Sequence, residues 1–176
     1  MEVFEIPLLS LQGIAMLAAL AIVPAILVWL IARFAKQPKA GWIGLAVVVI
    51  SLPVLAMVAW PMLTTTARLG DDGLVVDGGR YAVTVPYADI DVGGIVVDGA
   101  GELPRLGTRT HGIGLPGGSL GWFRAGERRV FAAYSGAAGS VYVPTRGNFD
   151  VLLSPDDAAR LVDGLRARVA EATRAD

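Results

Sequence analysis

Two apolar runs, residues 8–34 and 41–62, restrict what this chain can fold into more than any other feature of its 176 residues. The first carries no charge from Leu8 to Ala32, and the second carries none at all. Each exceeds the roughly 20 residues that a helix needs to cross the hydrocarbon core of a bilayer. The five residues between them, Ala35-Lys36-Gln37-Pro38-Lys39, are too few for a folded unit. The expectation is a helical hairpin integral to the lipid bilayer that accounts for residues 1–66.

Pro7 suits the first turn of the first helix. Pro24 and Pro53 sit at comparable depths, and each removes a backbone donor, so both helices are expected to bend. Ser10, Gln12 and Ser51 are the only strongly polar groups in the uncharged stretches, which disfavours a transporter path through the pair. Ala15 with Ala19, and Ala21 with Ala25, place small residues one turn apart, where a neighbouring helix approaches closely. Trp29, Trp42 and Trp60 fall near run ends, where indoles settle among headgroups.

Arg33, Lys36 and Lys39 gather at the link, whereas Glu2 and Glu5 are the only charges ahead of the first run. Basic residues stay preferentially on the cytoplasmic side. The link is therefore expected inside, and both the N-terminus and everything after the second helix outside the cytoplasm. The acidic flank and the length of the first run argue against a cleaved secretory signal. Cysteine is absent, which excludes disulfides and thiolate metal sites. Beyond Met62, twelve arginines meet fourteen carboxylates, so no basic surface for nucleic acid is indicated.

Past Thr66 the pattern alternates, as strands do. Leu74-Val75-Val76 and residues 80–85 read as a hairpin around Asp77-Gly78-Gly79. Residues 90–97 resume an apolar pattern with a bend at Gly93-Gly94, and a glycine-rich stretch covers residues 106–121. Further strands are expected at residues 122–124, 130–134, 141–143 and 149–153. The chain closes on a helix over residues 155–172, with Ser154 as its cap and Leu161, Leu165 and Val169 on one buried stripe. Residues 67–176 thus form a small, mainly β domain with a C-terminal helix.

That order of elements, together with particular residues, resembles a bacterial PH-like (pleckstrin-homology-like) domain family of small membrane proteins. The matching pieces are Val85-Pro86-Tyr87-Ala88-Asp89-Ile90, Arg105-Leu106-Gly107 with Arg109, His111-Gly112, and Gly121-Trp122-Phe123-Arg124. Tyr134, Val141-Tyr142-Val143-Pro144-Thr145 and Leu153-Ser154-Pro155-Asp156 complete them. The resemblance covers residues 70–168 and none of the hairpin. It implies a partly open barrel of about seven strands capped by the C-terminal helix, used as a binding or scaffold module; with no credible catalytic constellation in the sequence, a module without catalysis in the bacterial plasma membrane is expected. Many PH folds read phosphoinositides through basic residues in the loop between their first two strands. Here that loop, Asp77-Gly78-Gly79-Arg80, has one arginine and one acid, so that specificity does not carry over.

Gly112-Ile113-Gly114-Leu115-Pro116-Gly117 matches the dinucleotide fingerprint in letters only, because Pro116 and Gly118 forbid the helix that must follow; no cofactor is expected. His111 is the only histidine, and a hydrolase centred on it with Ser119 and Asp98 is the alternative, although no nucleophile elbow is present. One imidazole among scattered carboxylates offers no metal-ligand spacing, and a subunit of a membrane transport complex is a further alternative. Arg105, Arg109, Arg124, Arg128 and Arg129 form the one positive grouping. With His111, the first four are expected to make a surface around the glycine-rich loop for an anionic headgroup or an acidic protein partner.

Overall fold

A computed structural model describes residues 2–34, 40–99 and 101–175. The link at residues 35–39, on which the expected orientation turns, lies outside the described residues. Each apolar run carries one continuous helix, α1 (Leu11–Phe34) and α2 (Ala40–Thr64), and both are long and apolar enough to cross a membrane. Their prolines, Pro24 in α1 and Pro53 and Pro61 in α2, lie within the helices. The half-buried residues Leu17, Ala21, Ala25 and Val28 recur on one face of α1, and Val47, Ser51, Leu55 and Val58 do so on α2, the helix it packs along. Ala15 and Ala19 lie off that seam and are exposed, so only one of the two small-residue pairs serves the contact. Ser51 satisfies its hydroxyl within its own helix, donating to the Val47 carbonyl at 2.7 Å. Away from the seam, large apolar side chains such as Leu20, Ile31, Val49 and Ile50 stand exposed.

The strands form two sheets. β1 (Glu2–Glu5), β2 (Thr66–Leu69), β3 (Gly73–Gly78) and β4 (Tyr81–Pro86) make an antiparallel sheet in chain order. The second contains β5 (Val96–Val97), β6 (Arg109–Leu115), β7 (Gly118–Ala125), β8 (Arg128–Tyr134), β9 (Val141–Val143) and β10 (Phe149–Leu153), ordered β5-β9-β10-β8-β7-β6. β10 runs parallel to β8 while its other neighbour, β9, is antiparallel. The described residues therefore hold ten strands where about seven were expected, and neither sheet closes on itself. A single-turn 3-10 helix at Tyr87–Asp89 precedes the apolar stretch over residues 90–97, and a second, Val92–Gly94, falls where the bend at Gly93-Gly94 was expected and leaves only Val96–Val97 as strand there. The glycine-rich stretch is itself a hairpin, β6 to β7, turning at Pro116-Gly117. Gly112 and Gly121 face each other across it, both at positive φ, and a Cβ on either would collide with the opposite backbone.

The segment ahead of α1, read from sequence as part of the hairpin, belongs to the β domain. Phe4, Ile6 and Leu8 alternate into the core, and α1 starts only at Leu11, capped by Ser10, whose Oγ accepts the Gly13 N–H at 3.0 Å. At the other entry, α2 drives Met62 into the same core with no exposed surface, and Thr65 alone separates α2 from β2. β1 pairs with β2 from Glu2↔Leu69 to Glu5↔Thr66. Both helices are thus clamped to one sheet, and residues 2–10 sit on the same side of the helix pair as the C-terminal domain.

The final helix, α3 (Ala158–Ala175), buries Leu161, Val162 and Leu165 against that core. Its cap is Asp157, whose Oδ1 accepts the Arg160 N–H at 3.0 Å, three residues later than the expected Ser154. Ser154 is instead buried, with its Oγ 2.7 Å from Ser140 Oγ and accepting the Ser135 N–H at 3.0 Å. Because β5 and β6 occupy opposite edges of the six-stranded sheet, residues 101–108 must cross its outer face. Gly101 lies against Val96 at one edge, and Gly107 donates its N–H to the Arg124 carbonyl at 2.6 Å near the other. Under this strap, which carries half-buried Leu103, Pro104 and Leu106, lie Phe123, Val130, Ala132 and Leu152, buried on the face turned away from the main core.

Candidate functional site

Strand alternation decides which of the arginines share a surface. On β8, Phe131 and Ala133 point into the main core, so Arg129 lies on that inner face and Arg128 on the outer one. On β7, Leu120 and Trp122 point inward, which puts Arg124 on the inner face, directly opposite Arg129 across the ladder. The grouping expected from sequence is therefore split. Arg128 and Arg109 lie on the outer face, whereas Arg124, Arg129 and His111 lie along the inner rim; Arg105 sits on the exposed strap.

Arg128 is occupied by structure. Its Nη2 lies 2.5 Å from Asp150 Oδ1 and its Nε 3.0 Å from Oδ2, a bidentate pair in which Asp150 is 1% exposed. The same carboxylate accepts the Tyr142 hydroxyl at 2.7 Å and the Thr145 N–H at 2.9 Å. Burial alone would raise the Asp150 pKa, but hydrogen bonds from Arg128, Thr145 and Tyr142 outweigh it and hold the carboxyl below its ordinary value. Burial first, and then the bond to Asp150, pushes the Tyr142 phenol up to about 12. Arg128 also donates to the Thr145 and Gly147 carbonyls at 3.0 and 3.2 Å. This cluster ties β8, β9 and β10 together and leaves Arg128 no fork for a ligand.

The inner rim is different. The Arg129 guanidinium stacks 4.6 Å from the centroid of Trp122, which Phe131 and Phe149 hold edge-on at 5.2 and 5.0 Å. Arg124 is its cross-strand neighbour. Among the described residues, no carboxylate lies within 4.0 Å of either, although Glu127 sits in the adjoining turn. Two like charges facing across a ladder repel, and an anionic group placed between them would relieve that repulsion. His111 lies opposite Trp122 on the same rim, with its ring 5.5 Å from that of Tyr81. Arg129 and Trp122 were not in the expected surface; period-two alternation from Phe131 back to Arg129, and from Leu120 through Trp122 to Arg124, is the signal that finds them.

The residues of the hydrolase alternative do not converge. Ser119 pairs with Gly114, three residues along β6 from His111, and Asp98 follows β5 at the opposite edge of the sheet. Among the described residues, no three His, Asp or Glu side chains gather as a metal set. A recess of about 320 Å³ lies where the helices enter the domain, lined by residues 5–9 and 62–66 together with Asp156. Its walls are mainly the apolar side chains and threonines of that junction.

These features define a class: two apolar helices of membrane-crossing length clamped to a two-sheet β domain with an arginine-rich rim. No family model, curated protein or solved structure matches the chain.

Proposed function

We propose that this is an integral membrane protein whose PH-like domain acts as a non-catalytic binding or scaffold module fixed to the membrane surface. The observation that carries the reading is the double clamp: with β1 paired to β2 and Met62 in the core, the domain cannot swing away from the helix pair. Lipid is the natural cover for the exposed apolar flanks of α1 and α2, which a water-soluble chain would not leave bare. Two sheets followed by a capping helix support a partly open PH-like barrel, with the parallel β8 to β10 pairing as a departure from the all-antiparallel form. The Arg124–Arg129 rim supplies the binding chemistry, for a carboxylate or phosphate group.

To test the rim, a fluorescent hexaglutamate peptide is titrated against the full chain in phosphatidylcholine nanodiscs. Binding is expected at low salt, to weaken at least about tenfold as the Debye length shrinks from 0.05 to 0.5 M salt, and to be lost in an Arg124→Ala, Arg129→Ala double variant. The same loss for phosphatidylglycerol vesicles but not for the peptide would assign the rim to lipid. Binding of neither probe would remove it as the ligand surface.

The charge bias of Arg33, Lys36 and Lys39 supports a domain outside the cytoplasm, and the resemblance supports the bacterial plasma membrane as its location. Cysteine-free sequence makes this direct to measure. In intact cells, an impermeant thiol reagent should label Glu127→Cys, in the exposed β7 to β8 turn, and not Gln37→Cys. The reverse pattern would put the domain in the cytoplasm.

A further inference from the structure

Arg80 occupies the turn between β3 and β4, which Asp77 fixes by accepting the Gly79 N–H at 2.8 Å. Its Nη1 lies 3.6 Å from Sδ of Met57 on α2. Met57 is seven residues short of the end of α2 at Thr64, about 10 Å along the axis. Among the described residues, no carboxylate lies within 4.0 Å of Arg80, which is exposed. A full charge is thus held beside the exposed apolar flank of a helix long enough to span. Were hydrocarbon to reach this level, the guanidinium would sit in it unpaired, a cost that no neighbour offsets.

We propose that the boundary between water and lipid on the domain side runs at the level of Met57 and Trp60, and that Arg80 there binds the phosphate of a phospholipid. This rests on the reading that the helices cross a bilayer. The lengths agree with it. Residues 40–57 of α2 extend about 27 Å and residues 14–34 of α1 about 31 Å, against a hydrocarbon core of about 30 Å. The turns beyond are covered by protein on one face, where Gly13 packs on the Pro116 carbonyl and Pro61 and Met62 are buried in the domain, while Leu11 and Leu63 on the other face stay exposed at headgroup level. Trp60, one turn from Met57 and 68% exposed, suits the headgroup layer. A guanidinium fork matches two phosphate oxygens. Any phosphodiester provides them, so a zwitterionic lipid suffices. The contact lies on the flank of a spanning helix, held by Met57, and not in a pocket between strands.

The test compares the full chain with its Arg80→Gln and Arg80→Lys variants in phosphatidylcholine nanodiscs and in phosphate-free maltoside micelles. Arg80→Gln should melt about 3 °C below the parent in nanodiscs and together with it in maltoside, with Arg80→Lys between. Equal melting in nanodiscs overturns the proposal, and so does an equal deficit in both media, which would assign the effect to the protein contact with Met57. A second readout is independent of stability. A fluorophore on Ala82→Cys, two residues from Arg80, should be quenched by phospholipids spin-labelled at the headgroup, and an unquenched signal also overturns the proposal. If the chain leaves the membrane on alkaline extraction, the spanning reading itself fails, an outcome separate from either of these.

Discussion

Residues 66–176 produced alone should fail to fold cooperatively, whereas the same residues preceded by residues 2–9 through a short Gly-Ser connection should recover a sharp urea transition. The cut removes Phe4, Ile6, Leu8 and Met62, each 2% exposed or less. Full burial of side chains of this size stabilises by about 1.5–3 kcal/mol apiece, and four of them rival the roughly 5–15 kcal/mol that holds an entire domain together. The cut also bares the β2 edge and frees Asp156, whose N–H donates to the Glu5 carbonyl at 2.9 Å. In the full chain, Phe4→Ala should cost about 3–5 kcal/mol, since the ring is buried under the Arg160 guanidinium, 5.5 Å from its centroid. A cooperative transition in residues 66–176 alone would show that β1 is an accessory and not part of the fold.

Asp150→Asn should lower stability at neutral pH by about 2–4 kcal/mol. The amide keeps the shape but presents a donor where Arg128, Tyr142 and the Thr145 N–H already donate. The pH dependence has a definite sign. A carboxyl held below its ordinary value in the folded state contributes stability that is present above the unfolded pKa, about 3.9 for Asp, and is lost as pH falls through the folded value. Urea midpoints of the parent and of Asp150→Asn should therefore converge below about pH 4. Tyr142 acts at the other end. Its pKa, pushed up to about 12, means stability intact below the ordinary phenol value of about 10 and lost as pH rises from there towards 12. Tyr142→Phe should flatten that alkaline limb. Midpoints that stay parallel through both ranges would exclude this cluster as the source of either limb.

Much of the architecture was legible from sequence because it rests on patterns one element long. The two helices, the β3 to β4 hairpin, β8 to β10 and the stripe of α3 all follow from apolar period and turn residues. What escaped was non-local. Phe4, Ile6 and Leu8 alternate as a strand, but the apolar run that begins at Leu8 absorbed the last of them, and a single strand gives no sign of pairing across the whole helix pair. β6 carries two glycines in seven residues, which lowers its strand signal, yet Gly112 is required because the Gly121 backbone passes too close for a side chain. The strap over residues 101–108 follows from strand order alone and has no local signature. The arginines were identified as a group by sequence, but their division between two faces depended on the register of β7 with β8, which also revealed that Arg128 is committed to Asp150 and that Arg129 belongs with Arg124.

The pairing of β1 with β2 also imposes an order of events on biosynthesis. Glu5 must wait for Thr66, synthesised 61 residues later, and the intervening chain is the helix pair itself. A chain that threads only one helix through the membrane leaves the two strands on opposite sides, where the sheet cannot form. Its Phe4 pocket then stays open and its β2 edge bare. On the proposed spanning arrangement, the sheet can be completed only after both helices have crossed.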